Sequence, residues 1–166
     1  MCSTLRTSEC IGISLKWLAT ITTGIYAGGN IYISFIETPA RNELRPKHNA
    51  QILQMTHLRA KQSWTPIALF GATSAFAGFL LTRGNSGGEW LLADAILLGA
   101  LPMSVYFVWP TGTAIMDSKD TDDVATEKGE NWLVGKLQLW SKYHNLRTMV
   151  GLMAFGYMAS LLARRK

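Results

Sequence analysis

Hydrophobic positions dominate four stretches of the chain. Trp17 to Ile36, Ser63 to Thr82 and Ala95 to Met116 run for 20, 20 and 22 residues without an Asp, Glu, Lys, Arg or His, and Thr148 to Ala163 for 16. A bilayer core about 30 Å thick is crossed by roughly 20 helical residues at about 1.5 Å each. Three runs reach that length. The fourth is extended by Arg164, Arg165 and Lys166, whose long side chains can snorkel to the interface. The pattern predicts an all-α fold, a four-helix transmembrane bundle. Residues 1–166 are expected to form one integral membrane domain with spans near 11–36, 63–82, 90–110 and 146–163.

Between these runs the periodicity stays helical. His48 to Trp64 carries apolar residues at helical spacing and neither Gly nor Pro. A helix is therefore expected to run on into the second span, with Pro66 bending or restarting it. Glu130 to Lys166 contains no proline, and Leu133, Leu137, Trp140, His144, Arg147, Gly151, Ala154 and Met158 recur at spacings of three and four. That is one stripe on one helix longer than a span. Helices two and four are thus expected to extend beyond the bilayer on one side. Asn85 to Gly88 reads as a tight turn and Asp117 to Glu127 as a solvated acidic loop. Gly24, Ala27, Gly28, Gly71, Ala75 and Gly78 are spaced so that helices can approach closely in lipid.

Composition agrees with a membrane environment. Hydrophobic residues make up 48% and charged residues only 16%, against about 25% in a soluble domain. Disorder is excluded. The net charge of +5 comes from basic residues that flank the apolar runs, which fits a membrane edge and not a nucleic-acid partner. By raw Lys and Arg count the two long connections belong in the cytoplasm. The first run starts too deep for a simple signal peptide, and Glu9 and its brevity make Met1 to Cys10 a poor transit peptide. Cys2 and Cys10 are the only cysteines, so no disulfide framework and no CxxC metal motif is expected.

Polar groups inside the spans carry the candidate chemistry. Thr23, Asn30, Ser34 and Glu37 fall near one face of the first span, and lipid cannot satisfy such a stripe. Inter-helix hydrogen bonding accounts for Ser34. Asn30 and Glu37 are open to either a structural or a ligand-binding role. Asp94 is expected to pair with Lys16 or Arg83. Trp140, His144 and Arg147 project from one face, and Leu53, His57, Ala60 and Trp64 form a similar stripe on the second helix. Both stripes are expected to converge near the level of Glu37. An imidazole that can take a proton, a fixed cation and aromatic walls suit a flat, acidic aromatic substrate. The plainer alternative has Arg147 snorkelling, Trp140 anchoring at the headgroups and His144 satisfying a carbonyl. No Walker loop, GxSxG or HExxH is present. Two histidines on separate helices are a thin basis for haem, and no cofactor or metal is expected.

Two segments resemble a known family. One runs from Gly24-Ile-Tyr-Ala-Gly-Gly-Asn30 to Phe35-Ile-Glu-Thr-Pro-Ala-Arg41, and the other is Trp140-Ser-Lys-Tyr-His144-Asn-Leu-Arg147. With the four-span layout they resemble the anthrone-oxygenase-like family of small integral membrane proteins. That resemblance implies a cofactor-independent oxidation of a hydrophobic, enolisable aromatic by O₂. His144 would match the family's His or Asn, Arg147 and Trp140 its Arg and Trp, and Glu37, Pro39 and Arg41 the turn after the first span. Catalytic roles then fall to His144 as base, Arg147 as anion holder and Trp140 as stacking wall. His57, Trp64, Glu37 and Asn30 would bind substrate. The long His48 to Gln62 helix and the acidic loop depart from the family pattern. A second class of function is a non-enzymatic scaffold, either a homo-oligomer or a subunit assembled with a membrane-complex partner.

Overall fold

The computed structural model describes residues 7–82, 87–116 and 129–164. Helix α1 (Thr7–Tyr32) passes without a break through a π-helical turn at Ile33–Glu37 into α2 (Thr38–Asn42). Helix α3 spans Pro46–Leu81. Helix α4 (Gly87–Met103) continues through a second π-helical turn, Ser104–Val108, into α5 (Trp109–Met116). Helix α6 covers Gly129–Ala163. Among the described residues there is no strand, and four helical stretches are long and apolar enough to cross a membrane: Thr7–Asn42, Pro46–Leu81, Gly88–Met116 and Glu130–Ala163. The protein is an all-α, multi-pass membrane protein.

Several details differ from the sequence expectation. The first helix ends at Asn42, six residues beyond Ile36, and carries Pro39 within it, two residues past the π-helical turn. Pro66 lies within an uninterrupted α3 and does not restart it. Gly87 and Gly88, expected in a turn, already belong to α4. Asn85, Ser86 and the acidic stretch Asp117 to Glu127 lie outside the described residues. Cys10 is disulfide-bonded, a single bridge and not a framework. No ion pair reaches Asp94 among the described residues. Its Oδ1 is buried without a hydrogen bond, and the Lys16 ammonium lies 5.1 Å from the centre of the Trp90 ring.

The chain divides into two units. The first comprises residues 1–28, 64–100 and 150–166. Its core is rich in alanine: Ala19, Ala68, Ala72, Ala75, Ala93 and Ala154 pack with Trp90, Leu97 and Met158. Small side chains let helix backbones approach closely where apolar burial alone gives no drive. A Cβ on Gly78 would stand 2.9 Å from Lys16 Cγ and 3.1 Å from the Gly12 carbonyl oxygen. One on Gly24 would stand 2.8 Å from Phe155. Gly28 differs from its neighbours in the predicted stripe, since nothing lies within 4 Å of its Cβ direction.

The second unit comprises residues 29–63 and 101–149. Larger side chains fill it: Ile33, Leu53, Val108, Ile115, Leu133, Leu137 and Trp140. Its outer surface is apolar, with Phe35, Met55, Tyr106, Leu146 and Met149 all exposed. Such a surface fits contact with lipid. The predicted stripe on α6 is observed in both units, with Leu133, Leu137, Trp140, His144, Gly151, Ala154 and Met158 buried.

Candidate active site

Both π-turns belong to the second unit, and each carries a serine of the site. Each is followed, two residues after its end, by a proline: Pro39 after Glu37 and Pro110 after Val108. A helical proline removes one hydrogen bond and presses on the carbonyl four residues earlier. Here those carbonyls belong to Phe35 and Tyr106, inside the widened turns, where the strain is accommodated. The extra residue in each turn re-aims the side chains around it. Ser34 is thereby brought to His144 and Ser104 to Arg147.

His144 is 1% exposed. Its Nδ1 lies 3.1 Å from Ser34 Oγ and 3.5 Å from Thr148 Oγ1. Ser34 Oγ and Thr148 Oγ1 are 2.9 Å apart, and Thr148 donates to the His144 carbonyl at 3.0 Å. One proton assignment fits these contacts together. Thr148 uses its one hydrogen on a carbonyl, so Ser34 donates to Thr148. The imidazole then donates from Nδ1 to Ser34. Nε2 is left with its lone pair, buried and without a hydrogen-bond partner. A bare, fixed imidazole nitrogen is what a general base requires.

Trp140 lies one turn earlier on α6 and stacks on this ring, with centroids 5.0 Å apart and planes 28° apart. His57 meets Trp140 edge-on at 6.3 Å. The guanidinium of Arg41 stands 5.2 Å from the centre of the Trp140 ring. Trp140 therefore contacts both His144 and Arg41 through its ring. Its indole N–H is buried with no acceptor.

Arg147 is held at both ends of its fork. One amino group donates to Asn30 Oδ1 at 2.7 Å and the other reaches Ser104 Oγ at 3.4 Å. Asn30, fully buried, thus orients a guanidinium. Arg41 donates to Thr38 Oγ1 at 3.2 Å, and its Nε lies 3.5 Å from Glu37 Oε1. Arg147, Arg41 and His57 all lie close enough to act electrostatically on His144.

The second unit thus brings together six of the seven predicted site residues: Asn30, Glu37, His57, Trp140, His144 and Arg147. Trp64 belongs to the first unit, where it packs against the alanine-rich core. Sequence reasoning missed Thr148 and undervalued Ser34 and Arg41. The i to i+4 spacing of His144 and Thr148 was available as a signal. The serine register was not, because a π-turn leaves hydrophobic periodicity almost unchanged. Among the described residues no group of three or more His, Cys, Asp or Glu side chains is arranged to hold a metal ion.

A family model described as anthrone oxygenase matches residues 54–157, more than half of the chain. The chain belongs to the anthrone oxygenase family. Of the two segments that resemble the family, Trp140 to Arg147 falls inside the matched region and Gly24 to Arg41 precedes it. The anthrone oxygenase match also takes in His57, Ser104, Gly112 and Thr148. No curated protein and no solved structure matches the chain significantly.

Proposed function

We propose that the protein oxidises a hydrophobic, enolisable aromatic ketone of the anthrone type with O₂. The observation that carries this reading is the imidazole of His144, whose Nδ1 is anchored and whose Nε2 is buried without a partner. A methylene beside an aromatic carbonyl system is acidic, because its carbanion is an enolate. His144 Nε2 takes one proton from it, and a guanidinium beside it stabilises the oxyanion as it forms. The enolate gives one electron to O₂. The resulting radical and superoxide combine at the ring carbon, and protonation yields a hydroperoxide. Loss of water from that carbon leaves the second carbonyl. The balance is one methylene plus O₂ giving one carbonyl plus water, and the proton first held by His144 returns in the peroxide step.

The remaining groups have supporting roles. Ser34 and Thr148 hold the tautomer, Trp140 backs the imidazole, and Asn30 with Ser104 aims Arg147. His57 borders the same platform. Trp64 takes no part in this proposal. The apolar exterior around Phe35, Tyr106 and Leu146 suits a substrate drawn from lipid.

Oxygen consumption by the full chain in lipid nanodiscs, supplied with anthrone, tests the reading. Wild type is expected to consume O₂ and form anthraquinone, and His144→Ala to lose about 10²–10⁴-fold in rate with unchanged thermal stability. Equal rates for the two proteins would remove the mechanism. No uptake at all, with a stoichiometric membrane partner co-purifying, would favour the scaffold role.

A further inference from the structure

The geometry points to Arg41, and not Arg147, as the group that holds the substrate's anionic oxygen. This deepens the oxygenase reading and rests on it for the identity of the ligand.

Arg41 is 4% exposed, yet its Nε and one terminal nitrogen make no hydrogen bond. A single bond to Thr38 and a loose 3.5 Å ion pair to the partly exposed Glu37 are what it has. Arg147, by contrast, is bonded to Asn30 and Ser104. A buried guanidinium left with free N–H groups is costly, and the cost falls when an anion accepts from it. The neighbouring orphans are complementary. Trp140 Nε1 is a buried donor without an acceptor, and His144 Nε2 is the bare base. Arg41 lies over the same indole on which His144 stacks, so anion holder and base share one platform.

Charge makes the same point. Among the described residues the one carboxylate at Arg41 is the loose Glu37, and two of the Arg41 nitrogens keep N–H groups without an acceptor. A ligand that completes the site brings an anionic acceptor oxygen to them. The stacked aromatic surroundings and apolar exterior favour a flat phenolate or enolate. A phospholipid phosphate offers the same charge, and the test separates the two.

The probe is 1,2-dihydroxyanthraquinone, whose phenolate absorbs to the red of its neutral form. It is titrated with pH in phosphatidylcholine nanodiscs, with and without the full-length protein. Wild type is expected to lower the dye's ionisation midpoint by about one pH unit or more, as a close opposite charge does. Arg41→Gln should abolish that shift, and Arg41→Lys should restore part of it as a point charge without the fork. His144→Gln should retain the shift while losing oxygen uptake.

A shift unaltered in both Arg41 variants would overturn the assignment. So would a shift in wild type that vanishes once phosphatidylglycerol is added to the discs, since the occupant would then be a lipid phosphate. If Arg41→Gln does not fold, the partial shift expected of Arg41→Lys decides the matter. The two readings fail separately. A dye shift that depends on Arg41, without any anthrone oxidation, keeps the anion site and sinks the oxygenase. Oxidation that survives Arg41→Gln does the reverse.

Discussion

Ser34 Oγ and His144 Nδ1 are 3.1 Å apart across 110 residues of chain. This contact, closed through Thr148, decides which imidazole nitrogen is free. Ser34→Ala removes it and leaves the ring able to turn or change tautomer. The rate of anthrone oxidation should fall about 10–100-fold, equivalent to about 1.4–2.8 kcal/mol of lost orientation. Thr148→Val should do the same, and Thr148→Ser should largely recover the rate. Oxygen-electrode traces on the three variants check this.

Asn30 accepts from Arg147 at 2.7 Å inside the second unit. Asn30→Ala leaves a partly buried guanidinium short of one acceptor, at a cost of about 1–3 kcal/mol. Thermal unfolding in detergent should show a clear fall in Tm. Asn30→Asp keeps an acceptor in place and should hold the Tm near that of wild type. If alanine and aspartate behave alike, the bond has no structural weight.

Gly112 faces His57 so closely that a Cβ would lie 3.1 Å from both Cε1 and Nε2 of the ring. Gly112→Ala should therefore press the imidazole off its edge-on contact with Trp140 and destabilise by about 1–3 kcal/mol. Adding His57→Asn, which has a smaller side chain, should relieve the pressure. A double-mutant cycle on Tm reads the coupling directly. Strict additivity would mean that the two positions do not touch.

Gly78 and Gly28 belong to one predicted small-residue pattern but sit in different surroundings. Gly78→Ala should push against Lys16 and the Gly12 carbonyl and lower the Tm, while Gly28→Ala should be neutral or slightly stabilising. Unfolding curves of the two variants side by side test the contrast.

Much of the fold was readable because membrane solvent imposes a simple rule: long runs without charge become helices. The same logic placed His144 and Trp140 on the inner face of α6, since spacing along a regular helix fixes direction. Depth along the axis is a different matter. Trp64 shares a predicted face with His57, but seven residues separate them by about 10 Å, and Trp64 belongs to the other unit. Ser34 and Arg41 were hard to place because a π-turn and Pro39 lie between regular segments. Nothing in amphipathic periodicity marks a single extra residue. Ser104 is hidden for the same reason, at the start of the second widened turn.

That extra residue has a consequence of its own. Each amino acid in a helix turns the chain by about 100°, so deleting one position between Ile33 and Glu37 would swing Arg41 to another side while leaving hydropathy nearly untouched. Two chains of this kind could look alike in every apolar run and still present different side chains to a ligand. What separates them is a count of residues, and that count is the first thing to compare when asking whether another member of the family shares this chemistry.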